Sequence, residues 1–290
     1  MLVDITKCYL AKTFLEATMV SKIELGGGYL ENKTQRKEEW LFGREPQDVL
    51  SWVDGESRGL LYSFLSAVFN DEVSVDQVAD SLNQENVWRL GNIFDLLPEE
   101  KGFKLKEGIK NIQKRWGEPF SDEKKEKENL DLRREFAYLF LTPHGVNPFE
   151  SIYRGKKKLL MDKPWEEVRK FYRSIGVEKE KSQLHPEDHI AIELGLMAAL
   201  SYMSGRFLLE EEEEDGELGQ EEKKRMLQIQ CTFLEQHLSR WVPQLSKDIM
   251  EKTRHPFYSS VAELTAEFIE ADLYCLQEYF SNDNYTNEGR

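Results

Sequence analysis

The chain has few cysteines, a deficit of positive charge, no long apolar run and no strand-like alternation, and each shortage excludes something. Its three cysteines, Cys8, Cys231 and Cys275, lie far apart and form no Cys-x-x-Cys pair. That pattern reads as reduced thiols in a cytoplasmic protein, not as a disulfide framework. Lys and Arg number 39 against 54 Asp and Glu, for a formal net charge of −15. Such an excess argues against nucleic acid and anionic membrane surfaces as partners and favours basic ones. No apolar run approaches the roughly 20 residues that span a bilayer, so stable membrane insertion is not expected. The first 20 residues are broken by Asp4, Lys7, Lys12 and Glu16, which is not a secretory signal. There is no P-loop, no GxGxxG after a strand, no GxSxG and no Cys–His pairing, so the sequence reads as a non-enzyme and calls for no cofactor.

What is present is helical. Hydrophobic residues at 40% and charged residues at 32% fit a soluble globular chain, and 290 residues suffice for a large core. Apolar residues recur at helical spacing over 57–69, 75–82, 87–97 (stopped by Pro98), 105–116, 122–141, 164–175, 223–238, 241–251 and from Pro256 onward. The expected architecture is one all-α, bundle-like domain over residues 54–281. Residues 1–53, with Gly26-Gly27-Gly28, read as an N-terminal appendage, and 282–290 as a polar tail. Residues 210–222, almost wholly acidic, read as a disordered connector. A connector of that length permits helix exchange, so the chain is expected as a monomer or a helix-exchanged dimer. The Thr142–Tyr153 stretch carries Pro143, Gly145 and Pro148 beside Val146, Phe149, Ile152 and Tyr153, which predicts an ordered loop packed on the core.

The densest polar cluster is His185-Pro186-Glu187-Asp188-His189, leading into the apolar run from Ile190 to Phe207. Pro186 suits the first turn of a helix, and Glu187 and Asp188 would lie at the positive end of its dipole. The wide apolar arc predicts a helix buried on most sides. The row Asp188, Ala191, Gly195, Ala199 leaves room for a close neighbour or for a peptide's apolar side chains. His189 is expected to be satisfied by Glu193 one turn on. Asp188 can accept charge-assisted hydrogen bonds from a guanidinium. A metal-dependent hydrolase using His185, Glu187 and His189 is the rival reading, although Pro186 biases His185 out of the helix.

Three segments together resemble the TorD/DmsD family of cytoplasmic chaperones for molybdenum-cofactor enzymes. They are Phe136–Pro143 followed by Pro148–Tyr153, then Pro186–His189 opening the helix through Ala199, and last His237–Pro243 with His255–Tyr258 and Glu263–Thr265. His185 stands where the family usually has Glu or Gln, and Phe149 where it often has tryptophan. The resemblance implies an all-helical chaperone that binds the twin-arginine signal peptide of a reductase catalytic subunit and holds the apo form for cofactor insertion. A nitrate-reductase-type assembly chaperone acting on a remnant signal is the neighbouring alternative. The peptide site it implies comprises Pro186, Asp188 and His189, with Glu187, Glu193, Pro143, His144, Pro148, Ser151 and Tyr153 around them.

Overall fold

The computed structural model describes Trp52 and residues 55–117, 120–179, 183–210 and 216–287. Among them are eleven α-helices, one 3-10 turn at Leu238–Arg240 and no strand. The helices are α1 (Glu56–Asn70), α2 (Val75–Ser81), α3 (Gln84–Phe94), α4 (Glu99–Trp116), α5 (Asp122–Leu141) and α6 (Glu150–Arg154). They continue with α7 (Lys163–Ser174), α8 (Ile190–Glu210), α9 (Gly216–Gln236), α10 (Val242–Lys252) and α11 (Pro256–Asn287). Among these helices, none is long and apolar enough to cross a membrane.

Several ends are written into the sequence. Ser74 and Gln77 form a reciprocal capping box that starts α2. The side chain of Asn83 accepts the Asn86 N–H at 2.9 Å and starts α3. Pro98 stops nothing. It is the N-cap of α4, which begins at Glu99 with two glutamates in its first turn, six residues before the expected start.

The organising element is α8. Residues 190–201 are buried without exception, and the helix packs most extensively on α1 and then on α9. Ser66 of α1 donates to the Ala191 carbonyl at 2.8 Å, and Ala191, Gly195 and Ala199 are all covered. The small-residue row is thus a helix–helix contact and not an open groove for a peptide. Gly55 allows this approach, since it enters α1 at φ +82° where an added Cβ would overlap the Ser201 carbonyl oxygen.

A buried ion pair fixes how the outer helices meet. Arg58 of α1 holds Asp272 of α11 through Nε at 2.6 Å and Nη2 at 3.0 Å. Asp272 also accepts from Tyr62 at 2.6 Å and from the Trp52 indole at 2.8 Å. Gln230 of α9 takes the same guanidinium at 2.5 Å. Trp52, expected in the appendage, is therefore part of the core. Cys231 and Cys275 are free and buried, and burial pushes their thiols up to about 11 and about 12.

Two expected boundaries shift. Backbone from Gly216 is already helical, so 216–222 belong to α9, where carboxylates near a helix start are favoured and Glu222 pairs with Arg225 at 3.4 Å. The tail expected from 282 continues α11 to Asn287. Residues 1–51, 53–54, 211–215 and 288–290 of the appendage, connector and tail lie outside the described residues.

Candidate functional site

The proline loop, the motif before α8 and the turn after α9 meet in one place. Gly145 and Val146 turn the loop back on α5, the Val146 N–H reaching the Leu139 carbonyl at 2.7 Å. The loop then runs antiparallel to the motif. Ile190 N–H donates to Pro148 O, and Glu150 N–H to Asp188 O, both at 2.9 Å, around a Phe149–His189 bridge. This pairing holds Pro186–His189 out of helical geometry, so α8 starts at Ile190 and not at Pro186. The start is capped by His189, whose Nδ1 accepts the Ala191 N–H at 3.2 Å.

Asp188 is consequently not in the first turn of α8. Its carboxylate Oδ2 accepts the Ser151 N–H at 3.0 Å, at the start of α6, so it caps a helix of the other segment. Glu150, the first residue of α6, is fully buried. It pairs with Arg154 one turn on and with His237 Nδ1 at 3.0 Å. Arg154 also reaches Glu167 of α7 at 3.4 Å. Glu193 of α8 accepts the Trp241 indole N–H at 3.2 Å and does not bond the His189 ring as expected. Phe171 and Phe233 wall in His237, with ring centroids 5.7 and 4.8 Å away.

Three carboxylates, Glu150, Asp188 and Glu193, thus share one water-excluded region, each with 0% exposure. Burial, and next the Glu150 carboxylate, push the Glu193 carboxyl well above its ordinary value, which favours its protonated form. Burial also raises Asp188, against the lowering effect of the hydrogen bond from the Ser151 N–H. His189 is driven well below the usual imidazole value by burial and then by His185, so it is neutral. With Nδ1 accepting, its proton resides on Nε2.

Three polar atoms of this cluster have no hydrogen-bond partner: Ser151 Oγ, Asp188 Oδ1 and Glu193 Oε1. Among the described residues the only other such buried side-chain atom is Arg58 Nη1. Each buried unsatisfied group costs about 1–3 kcal/mol, so three at one spot concentrate unused hydrogen-bonding capacity there.

Of the residues expected to form a peptide site, Pro148, Ser151, Asp188, His189 and Glu193 come together here. Pro186 and Glu187 sit half-buried at its edge. Glu187 is engaged by the Trp165 indole at 2.8 Å and by Arg169 at 3.5 Å. Tyr153 lies on the far side, against the Trp241 ring at 5.5 Å and bonded to Asp248 at 3.1 Å. Pro143 and His144 are exposed on the outer bend of the loop. The hydrolase ligands do not converge. The His185 and His189 rings stack face to face at 3.9 Å, Glu187 is turned to α7, and no three His, Cys, Asp or Glu of the described residues are grouped as a metal site.

Glu150, Arg154, His237 and Trp241 were not among the expected residues. Glu150, His237 and Trp241 all lie inside the segments that carry the resemblance. A buried-type spacing of polar residues next to Phe149 and Leu238 was the available signal, but nothing local pairs residues 87 apart.

A family model described as nitrate reductase delta subunit matches residues 103–247, half of the chain, and that span contains the whole cluster. The chaperone protein TorD of Vibrio cholerae serotype O1 is 29% identical over 228 residues, 78% of this chain and 94% of the relative. That of Photobacterium profundum is 26% identical over 219 residues, 75% and 93% of the two chains. That of Aliivibrio fischeri is 25% identical over 222 residues, 75% and 94%. These relatives are named as chaperones and not as enzymes.

Proposed function

This chain belongs to the nitrate reductase delta subunit family, the TorD family of chaperones, and from that premise we propose that its buried acidic cluster receives an arginine of a client's signal peptide. In this reading the protein is a cytoplasmic chaperone for a molybdenum-cofactor oxidoreductase. It binds the twin-arginine signal and holds the apoenzyme until the cofactor is inserted and export can proceed.

The observation that carries the reading is the trio of unpartnered atoms, Ser151 Oγ, Asp188 Oδ1 and Glu193 Oε1, in a region with an excess of carboxylates. A guanidinium presents five N–H donors in a planar fork and is more weakly hydrated than an ammonium. It can therefore satisfy several acceptors at once at a lower desolvation cost than lysine. Entry requires the half-buried His185, whose ring stacks on His189 at 3.9 Å, to move aside. Asp188 and Glu193 then bind the cation, and His189, with its proton on Nε2, is free to hydrogen-bond a peptide carbonyl. Pro148 and Ser151 form the wall supplied by the loop.

Calorimetric titration with an Arg-Arg signal peptide and its Lys-Lys counterpart tests this. The Arg-Arg peptide should bind at least tenfold more tightly, a difference of about 1.4 kcal/mol. Equal binding of the two peptides would remove the guanidinium from the account. The family description keeps a nitrate-reductase catalytic subunit as the second client reading, which co-purification of the client from cells distinguishes.

A further inference from the structure

Charge is unevenly spread along this acidic chain. Residues 154–173 carry eight Lys and Arg against three Asp and Glu, a local +5 in a chain of −15. At the centre of this basic island is the loop between α6 and α7, Lys156-Lys157-Lys158-Leu159-Leu160-Met161. All six residues are exposed. The ion pairs of the region take Arg154, Lys163 and Arg169, and leave Lys156, Lys157 and Lys158 without one among the described residues.

Leu159, Leu160 and Met161 are 57%, 53% and 54% exposed, three consecutive large apolar side chains in water. Apolar residues scattered singly over a surface are ordinary, but a contiguous run is not. The backbone holds them there. Gly155 and Asp162 close the loop at its foot, where a Cβ built on Gly155 would lie 2.2 Å from the Ser151 carbonyl oxygen and 3.0 Å from the Asp162 carboxylate. The Lys158 N–H returns to the Gly155 carbonyl at 3.2 Å. Lys158 and Met161 stand at φ +51° and +57°, in the left-handed region that residues with a side chain adopt at a cost. A closed loop that holds apolar side chains out at such a cost has a use for them outside the core.

We propose that this loop is a membrane-surface contact, in which Leu159, Leu160 and Met161 enter the headgroup region of an anionic bilayer and Lys156, Lys157 and Lys158 meet its lipid phosphates. The two chemistries together select this partner. Lysines alone fit any polyanion and an apolar triplet alone fits any apolar face, whereas a lipid surface takes apolar side chains and ammonium groups side by side. The net charge of −15 argues against such a surface for the chain as a whole. It acts weakly at the loop, because exposed charges beyond about 8 Å are largely screened at physiological salt. The contact is peripheral and needs no spanning helix. It stands independently of what the acidic cluster binds.

The test is flotation of the full-length protein with vesicles of phosphatidylcholine alone, and with vesicles of an equimolar mixture of phosphatidylcholine and phosphatidylglycerol. The mixed vesicles should carry about tenfold or more protein than the neutral ones. Two triple variants separate the two contributions, Lys156→Gln with Lys157→Gln and Lys158→Gln, and Leu159→Ser with Leu160→Ser and Met161→Ser. Each should cut binding to the mixed vesicles about tenfold or more while the cooperative melt persists, since all six side chains are exposed. No flotation with the mixed vesicles, or flotation that either triple variant leaves unchanged, would overturn the proposal. Lysine-dependent self-association in light scattering, without vesicle binding, would overturn it in favour of an acidic surface on a second copy.

Discussion

The carboxylate of Asp188 serves a helix other than its own. It caps α6 through the Ser151 N–H and leaves Oδ1 unpartnered, while burial and the Glu150 carboxylate raise the Glu193 carboxyl. A buried acid with a raised pKa gives the folded state an extra bound proton above its ordinary value of 4.5. The folded state then binds more protons than the unfolded one, so stability falls as pH rises from about 4.5 towards the raised value. Asp188 contributes in the same direction, and His189 in the opposite one below about 6.5, where only the unfolded chain takes its proton. Between the ordinary value of 4.5 and the raised one, the melting temperature of the wild type should fall with pH relative to that of Glu193→Gln, which keeps the Trp241 bond without the titration. A profile unchanged by Glu193→Gln would mean that Glu193 is ionised in the fold.

At the scale of elements, the buried Arg58–Asp272 pair carries the assembly of Trp52, α1, α9 and α11. Arg58→Met leaves Asp272 buried and unpaired, at a cost of about 3–5 kcal/mol in denaturant unfolding. Arg58→Met with Asp272→Leu should recover most of that loss, because the uncompensated charge goes too. A double variant as weak as the single would show that the hydrogen bonds to Trp52, Tyr62 and Gln230 matter more than the charge. Gly55→Ala should also destabilise, by about 1 kcal/mol or more, since it forces a side chain into positive φ against Ser201. Helices were largely legible because apolar spacing and caps are local, and α5 matches its expected bounds at both ends. The exceptions were set by distant partners. α8 starts four residues after Pro186 because the loop pairs with residues 188–190. The reach of α9 back to Gly216 and of α11 to Asn287 was hidden by polar composition.

For the molecule as a whole, a chaperone-family chain brings three separated segments onto one buried acidic spot. That the segments belong together was legible from their order in the sequence, and Asp188, His189, Glu193 and Ser151 were named from it. The Glu150–His237 and Glu193–Trp241 contacts were not, since each joins residues that no period or motif links. The core boundary is a second whole-molecule matter. Removing residues 1–50 keeps Trp52 and should leave helical circular dichroism per residue and a cooperative melt intact. A melt without cooperativity would extend the core into the appendage. The central claim, that the acidic cluster receives an arginine, is tested most directly at Asp188. Asp188→Asn keeps size and an acceptor for Ser151, so the melting temperature should shift little, while loss of a buried charge-assisted contact should cost about 2–5 kcal/mol of peptide binding. Titrating an Arg-Arg signal peptide into wild type and Asp188→Asn should therefore show about a 30-fold or greater weakening in the variant. Equal affinities in the two proteins would contradict the account and leave Asp188 as the cap of α6 alone.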